Sequence, residues 1–191
     1  VDSRGPVKRL AIVACAAAAV SVLALAPAAQ ASGSGNPYQD VQVGVGYTVY
    51  QPTYTAGLKA TSVLGKDPDA GFTGDMNLLA QFGRKGGKGF TIQEGNPMSN
   101  DIGVGTLVST TTVMGRKAKV YAYCDPSSTA KCTLADVAKS GGHLDVMLPA
   151  AKGLHQTRVW IETLRTRAIS GAQLISIAKG LKPVSYTHLR A

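Results

Sequence analysis

The chain has 191 residues, 45% of them hydrophobic, with a net charge of +9 at pH 7. That is enough for one domain with a buried core, and no repeat, coiled-coil heptad or second domain is visible in it. The positive balance favours anionic partners such as phospholipid headgroups, wall polymers or nucleic acid, and says nothing about fold.

Residues 1–31 read as an export signal. Arg4, Lys8 and Arg9 form a positive start, residues 10–25 are almost unbroken apolar sequence, and Ala29-Gln30-Ala31 is a small-residue cleavage site. Cleavage would make Ser32 the first residue and leave seventeen basic against ten acidic side chains, a net +7, or +6 without Arg190. The apolar run is short for a span and ends in Pro27, so no transmembrane segment is expected after cleavage. Ile12-Val13-Ala14-Cys15 resembles a lipidation motif, but too little apolar sequence precedes Cys15.

Residues 32–37 (SGSGNP) have linker composition. Val41, Val43 and Val45 alternate with Gln42, Gly44 and Gly46, which predicts a strand continuing through Tyr50 to a stop at Pro52. Residues 66–74 are loop chemistry. Met76, Leu78, Ala80 and Phe82 form one face of a strand, and Phe90 and Ile92 supply its partner. Between them lies GRKGGKG, a glycine-rich hairpin tip carrying Arg84, Lys85 and Lys88. Residues 95–100 make another break. A second hairpin follows over 107–113 and 117–124, with Gly115-Arg116 at its turn. In its return strand Ala118, Val120, Ala122 and Cys124 face away from Lys117, Lys119, Tyr121 and Tyr123.

Thr133 with Asp136 marks a short helix that ends at Gly141-Gly142. Leu144, Val146 and Leu148 define a half-buried strand, and residues 157–164 a strand apolar on both faces. Ser170 and Gln173 then form a capping box, Leu174, Ile177, Ala178 and Leu181 share a stripe, and Gly180 suits the helix end. Residues 183–191 (PVSYTHLRA) resemble one reading frame of a transposon adapter, so a non-native tail is expected there, and His188 and Arg190 receive no role.

The chemistry-bearing residues are few. Cys15 leaves with the signal, so Cys124 and Cys132 remain as an even pair in an exported chain, which reads as a disulfide. His143 and Asp145 share a strand face, and His155 could approach across a hairpin to give an open zinc site. The competing reading is a solvent-facing polar edge, and no metal or other cofactor is assigned. There is no G-x-S-x-G elbow, the carboxylates are scattered, and neither Gly-Val-Gly continues into a phosphate loop. Arg84, Lys85 and Lys88 are the anion-binding candidate, set against an ordinary solvated loop. Nucleic acid is not expected, because no aromatics interleave these charges.

The closing strand with Val159, Trp160 and Ile161, followed by ISGAQLISIAKGLKP, resembles a small extracytoplasmic bacterial domain of unknown function. Such domains occur in secreted proteins, lipoproteins and the outer parts of sigma-factor regulators. VMGRKAKVY, over residues 113–121, is similar to a hairpin of that type. The resemblance covers the last third of the chain and implies an antiparallel sheet with a helix, distantly like periplasmic lipoprotein carriers. It brings no catalytic residues.

The expectation is therefore an α+β domain over residues 38–182: a twisted antiparallel sheet with a C-terminal amphipathic helix packed on one face. Its expected role is a secreted, non-catalytic, envelope-associated binding or regulatory domain. One alternative is a carrier holding an apolar ligand in a cavity lined by Leu78, Phe82, Ile161 and Leu174. The other is a metal-dependent hydrolase using His143, Asp145 and His155.

Overall fold

The computed structural model describes residues 35–66, 76–83, 87–96 and 105–185, all within the unit Ser32–Ala191. The export signal read from residues 1–31 lies outside these residues, as do Arg84 and Lys85.

The first element corrects the sequence reading. Residues Pro37–Val43 form a helix, α1, where alternating valines predicted a strand. Asn36 accepts a hydrogen bond from the Tyr38 N–H at 3.1 Å, Pro37 occupies the first turn, and Asp40 sits at the positive end of the dipole. These start signals outweigh three alternating valines. The buried stripe is Tyr38, Val41 and Gln42, while Val43 is 76% exposed. Asn36 and Pro37, assigned to a linker, begin the helix instead.

Gln42 then clamps the following extended backbone. Its Nε2 donates to the Tyr47 carbonyl at 2.8 Å, and its Oε1 accepts from the Val49 N–H at 2.7 Å. The chain enters β1 (Tyr50–Pro52), which pairs antiparallel with β9 (Leu181–Pro183). Val184 donates to the Val49 carbonyl at 2.9 Å and is buried. Pro183 and Val184, expected to start a non-native tail, are thus integrated in the fold.

The main sheet has seven strands, every neighbouring pair antiparallel, in the order β2-β3-β4-β8-β7-β6-β5. They are β2 (Ala60–Lys66), β3 (Asn77–Gly83), β4 (Gly89–Gly95), β5 (Thr106–Val113), β6 (Arg116–Ala122), β7 (Gly141–Leu148) and β8 (Thr157–Leu164). Phe82 pairs with Phe90 and Ala80 with Ile92, as the alternation implied, and the two phenylalanine rings stack at 4.5 Å. β2 has no period-two signal. As an edge strand it buries little, and Leu64 is 57% exposed. The β5–β6 turn falls one residue earlier than expected, on Met114 (φ 48°) and Gly115 (φ 75°). Positive φ at both central positions is the type I′ hairpin geometry, and Arg116 opens β6 opposite Val113.

Between β6 and β7, Cys124 and Cys132 form a disulfide. Closing so short a loop contributes about 2–3 kcal/mol by restricting the unfolded chain. Thr133 and Asp136 make their capping box ahead of α2 (Val137–Ser140). Hydrogen bonds from the Thr133 hydroxyl and N–H hold the Asp136 carboxyl below its usual range. After β8, Ser170 Oγ accepts from the Gln173 N–H at 3.2 Å, and Gln173 Oε1 accepts from the Ser170 N–H at 2.9 Å, starting α3 (Gly171–Lys179). Leu174, Ile177 and Ala178 of α3 are fully buried, in the same core cluster as Leu144, Val120 and Ile161.

Candidate functional site

Three places hold polar or charged groups in arrangements that packing alone does not require. The first is at the β3–β4 hairpin. Its base is glycine for a steric reason: a Cβ on Gly89 would run into the Arg167 guanidinium and the Phe82 carbonyl. Arg167 lies across this base, its Nε donating to the Gly87 carbonyl at 3.2 Å and its Nη2 to the Phe82 carbonyl at 3.5 Å. On the other side Gly83 N–H donates to the Lys59 carbonyl at 2.9 Å, docking the turn before β2 onto the tip. The result is a cleft of about 490 Å³ lined by Gly57, Leu58, Lys59, Gly83 and Lys88. Lys59 and Lys88 are both exposed. Of the three cations the sequence singled out, Lys88 lines the cleft, while Arg84 and Lys85 lie outside the described residues. Lys59, 29 residues away in sequence, was missed because no motif links it to the tip.

The second place is on the face that β6, β7 and β8 turn away from the core. Tyr121 of β6 stands opposite His143 of β7, and His143 opposite Glu162 of β8. The His143 ring stacks on Trp160 at 3.7 Å and on Tyr121 at 4.6 Å. Tyr123 donates its hydroxyl proton to Glu162 Oε1 at 2.6 Å, so its oxygen accepts Nδ1–H of His143 at 3.0 Å. That assignment leaves Nε2 unprotonated, and it is buried without a partner among the described residues. Burial pushes the His143 pKa down to about 4; Asp145 opposes this and Arg158 adds to it. Burial first, and then the bond to Glu162, raise the Tyr123 pKa well above the usual phenol value.

The metal reading of His143, Asp145 and His155 is corrected by these contacts. Asp145 is bound bidentately by Arg158, Oδ1 to Nε and Oδ2 to Nη2, both at 2.9 Å. His155 is exposed in the loop before β8, where its backbone bridges to Tyr47, and it does not converge with the other two. Nor is His143 on a solvated edge: it is 2% exposed. Cys124, Cys132 and Asp136 do lie close together. Their ligand atoms are occupied by the disulfide and the helix cap.

These contacts carry a pH dependence. Folding favours the neutral ring of His143, so its contribution is complete above about pH 6.5 and is lost as pH falls toward 4. Its size is on the order of 2 kcal/mol, the full shift being discounted for residual solvent screening. We expect the urea midpoint of His143→Phe to gain on that of the parent as pH falls across this window, because the variant lacks this loss. An equal slope in the variant would locate the acid sensitivity elsewhere.

The third place is inside the core. Glu94 of β4 lies between Leu78 and Val159, with no exposed surface. Its Oε2 accepts the Tyr50 N–H at 2.8 Å, while its Oε1 and the Tyr38 hydroxyl are both buried without partners among the described residues. Burial raises its pKa well above the carboxylate range, with the Tyr50 N–H opposing. Burial and then the charge of Glu94 raise the Tyr50 pKa to about 12. Beside it, the Tyr47 hydroxyl shares its proton between the Met76 and Glu94 carbonyls, at 2.8 and 3.1 Å, and accepts the Leu78 N–H at 3.0 Å. A single acid on an otherwise apolar strand face gave no sequence signal beyond breaking the alternation.

Leu78, Ile161 and Leu174, expected to line a ligand cavity, have no accessible surface, so no water-sized void adjoins them; Phe82 is 3% exposed. No helix among the described residues is long and apolar enough to cross a membrane. No protein-family model matches the chain, and neither a curated protein nor a solved structure matches it.

Proposed function

We propose that the chain is an exported, non-catalytic binding or regulatory domain of the cell envelope, and that the cleft between Lys59 and Lys88 takes a phosphate-bearing anion. The observation that carries this reading is the convergence of two lysines from distant segments on one cleft floored by glycine backbone. Exposed Gly57 lets an oxyanion approach the main chain, and the lysines supply charge. The Cys124–Cys132 disulfide is compatible with an oxidising compartment. In this reading α3 closes one face of the sheet, which the burial of Leu174, Ile177 and Ala178 supports. It extends the resemblance of the closing strand and helix to small extracytoplasmic bacterial domains. The carrier alternative is disfavoured by the filled core around Leu78 and Leu174, and the hydrolase alternative by the engagement of Asp145 with Arg158.

Binding to phosphatidylglycerol vesicles and to soluble polyphosphate tests the site and separates its two possible sources of phosphate. Each lysine near an anionic surface contributes about 1 kcal/mol, so Lys59→Ala with Lys88→Ala should weaken binding about thirty-fold. Lys117→Ala with Lys119→Ala, on a strand distant from the cleft, is the charge-matched control. Equal losses in the two double variants would reduce the effect to net charge and reject the cleft.

A further inference from the structure

The two edges of the main sheet are built differently. β2 ends in Lys66, packs beside α1 and is bulged between Ala60 and Ser62. β5 reads TLVSTTTV, eight residues with no charge, proline or glycine. Edge strands ordinarily carry such blockers, because a row of unpaired N–H and C=O groups invites another strand. One register shift, between Leu107 and Ser109, interrupts β5; residues 109–113 run regularly along β6. No described strand pairs with the outer side of β5.

We propose that β5 is the docking edge for a second copy of this chain, β5 pairing antiparallel with β5 about a two-fold axis. An axis perpendicular to the sheet keeps each residue on its own face, so only Ser, Thr and Val meet across residues 109–113. With the axis through Thr111, exposed Thr110 stands opposite Thr112 of the second copy, a favourable pair type. Leu107, 50% exposed, and Met114, 43% exposed, lie at the two ends of the strand and add apolar contact.

Charge decides between occupants. Exposed Lys117 and Lys119 lie one strand inward on β6. In the pair they stand three strand spacings from the same lysines of the other copy, about 14 Å, beyond the Debye length of about 8 Å. Their repulsion is therefore weak at physiological salt. An acidic strand in the same place would lie two spacings from them, about 10 Å, and gain little from the attraction. The uncharged, self-complementary edge thus favours a second copy. Five paired residues bury less than the about 1,200–2,000 Å² of a standard interface, so the association is weak.

Sedimentation equilibrium of the exported protein, at concentrations up to about 1 mM, tests this. The apparent mass should rise toward twofold with concentration at physiological salt and rise less at low salt. Thr110→Lys with Thr112→Lys, at exposed positions, should hold the mass at the monomer value with unchanged circular dichroism and unfolding midpoint. Lys59→Ala with Lys88→Ala should associate like the parent, which separates this result from the fate of the anion cleft. A parent that stays monomeric throughout overturns the proposal, as does a dimer that survives both lysines. Capture of an acidic extended peptide at β5 without self-association also overturns it.

Discussion

Truncating Ile177 to alanine is expected to cost about 2–5 kcal/mol of unfolding free energy, a large share of a small domain's stability. Ile177 has no exposed surface and shares the core with Leu174, Ala178, Leu144 and Val120. Removing its outer methyl groups deletes their transfer energy and leaves a gap that α3, tethered by its capping box and by β9, can close only in part. Gln173→Ala is the comparison within the same helix. It removes the acceptor for the Ser170 N–H at a helix start and should cost less than about 1 kcal/mol. Urea denaturation of both variants is the measurement. Should Ile177→Ala prove no worse than Gln173→Ala, α3 would not close the core.

Glu94 should dominate the stability of the protein toward alkaline pH. Its folded-state pKa is raised by burial, so the acid stabilises the fold in its neutral form. That contribution is complete below about pH 4.5, the unfolded value, and is lost as pH rises toward the folded pKa. Among the described residues an ionised carboxylate there has one donor, the Tyr50 N–H, and an uncompensated buried charge costs several kcal/mol. Glu94→Gln keeps an acceptor for Tyr50 and removes the titration. It should raise the unfolding midpoint at pH 8 and flatten the downward slope expected of the parent above about pH 6.5. Glu94→Leu should not do the same, because it strands the Tyr50 N–H at about 1–3 kcal/mol. If Glu94→Gln tracks the parent from pH 5 to 9, this carboxyl is not the source of the dependence. The slope from His143 runs the other way below pH 6.5, so the two largely cancel between about pH 4.5 and 6.5, parent stability should be flat there, and each variant should expose the other's limb.

The pH terms come from residues whose sequence context was uninformative. His143 reads as a polar alternation partner of Leu144, and Glu94 as a polar residue near a strand end. Their burial depends on what distant segments place beside them: Tyr121, Trp160 and Tyr123 around the imidazole, Tyr38 and Tyr50 around the carboxyl. Strand order is set by pairings between residues far apart in sequence, and no local pattern encodes them.

Local chemistry was legible where the physics is local. Period-two runs at residues 78–82, 118–122, 144–148 and 157–164 became strands because alternate side chains must face one buried side. The capping boxes at Thr133 and Ser170, and the eight-residue spacing of the cysteines, are short-range constraints that survive any topology. The sequence misled where two local signals competed, at Asn36-Pro37 against the alternating valines, and where burial was slight, at β2. The cleft needed tertiary structure, since Lys59 meets Lys88 only once Gly83 has docked on the Lys59 carbonyl. Local sequence determined which segments extend, coil and cap. The packing of one strand on another decided which charges stay in water, which are forced to be neutral, and which edge is left open.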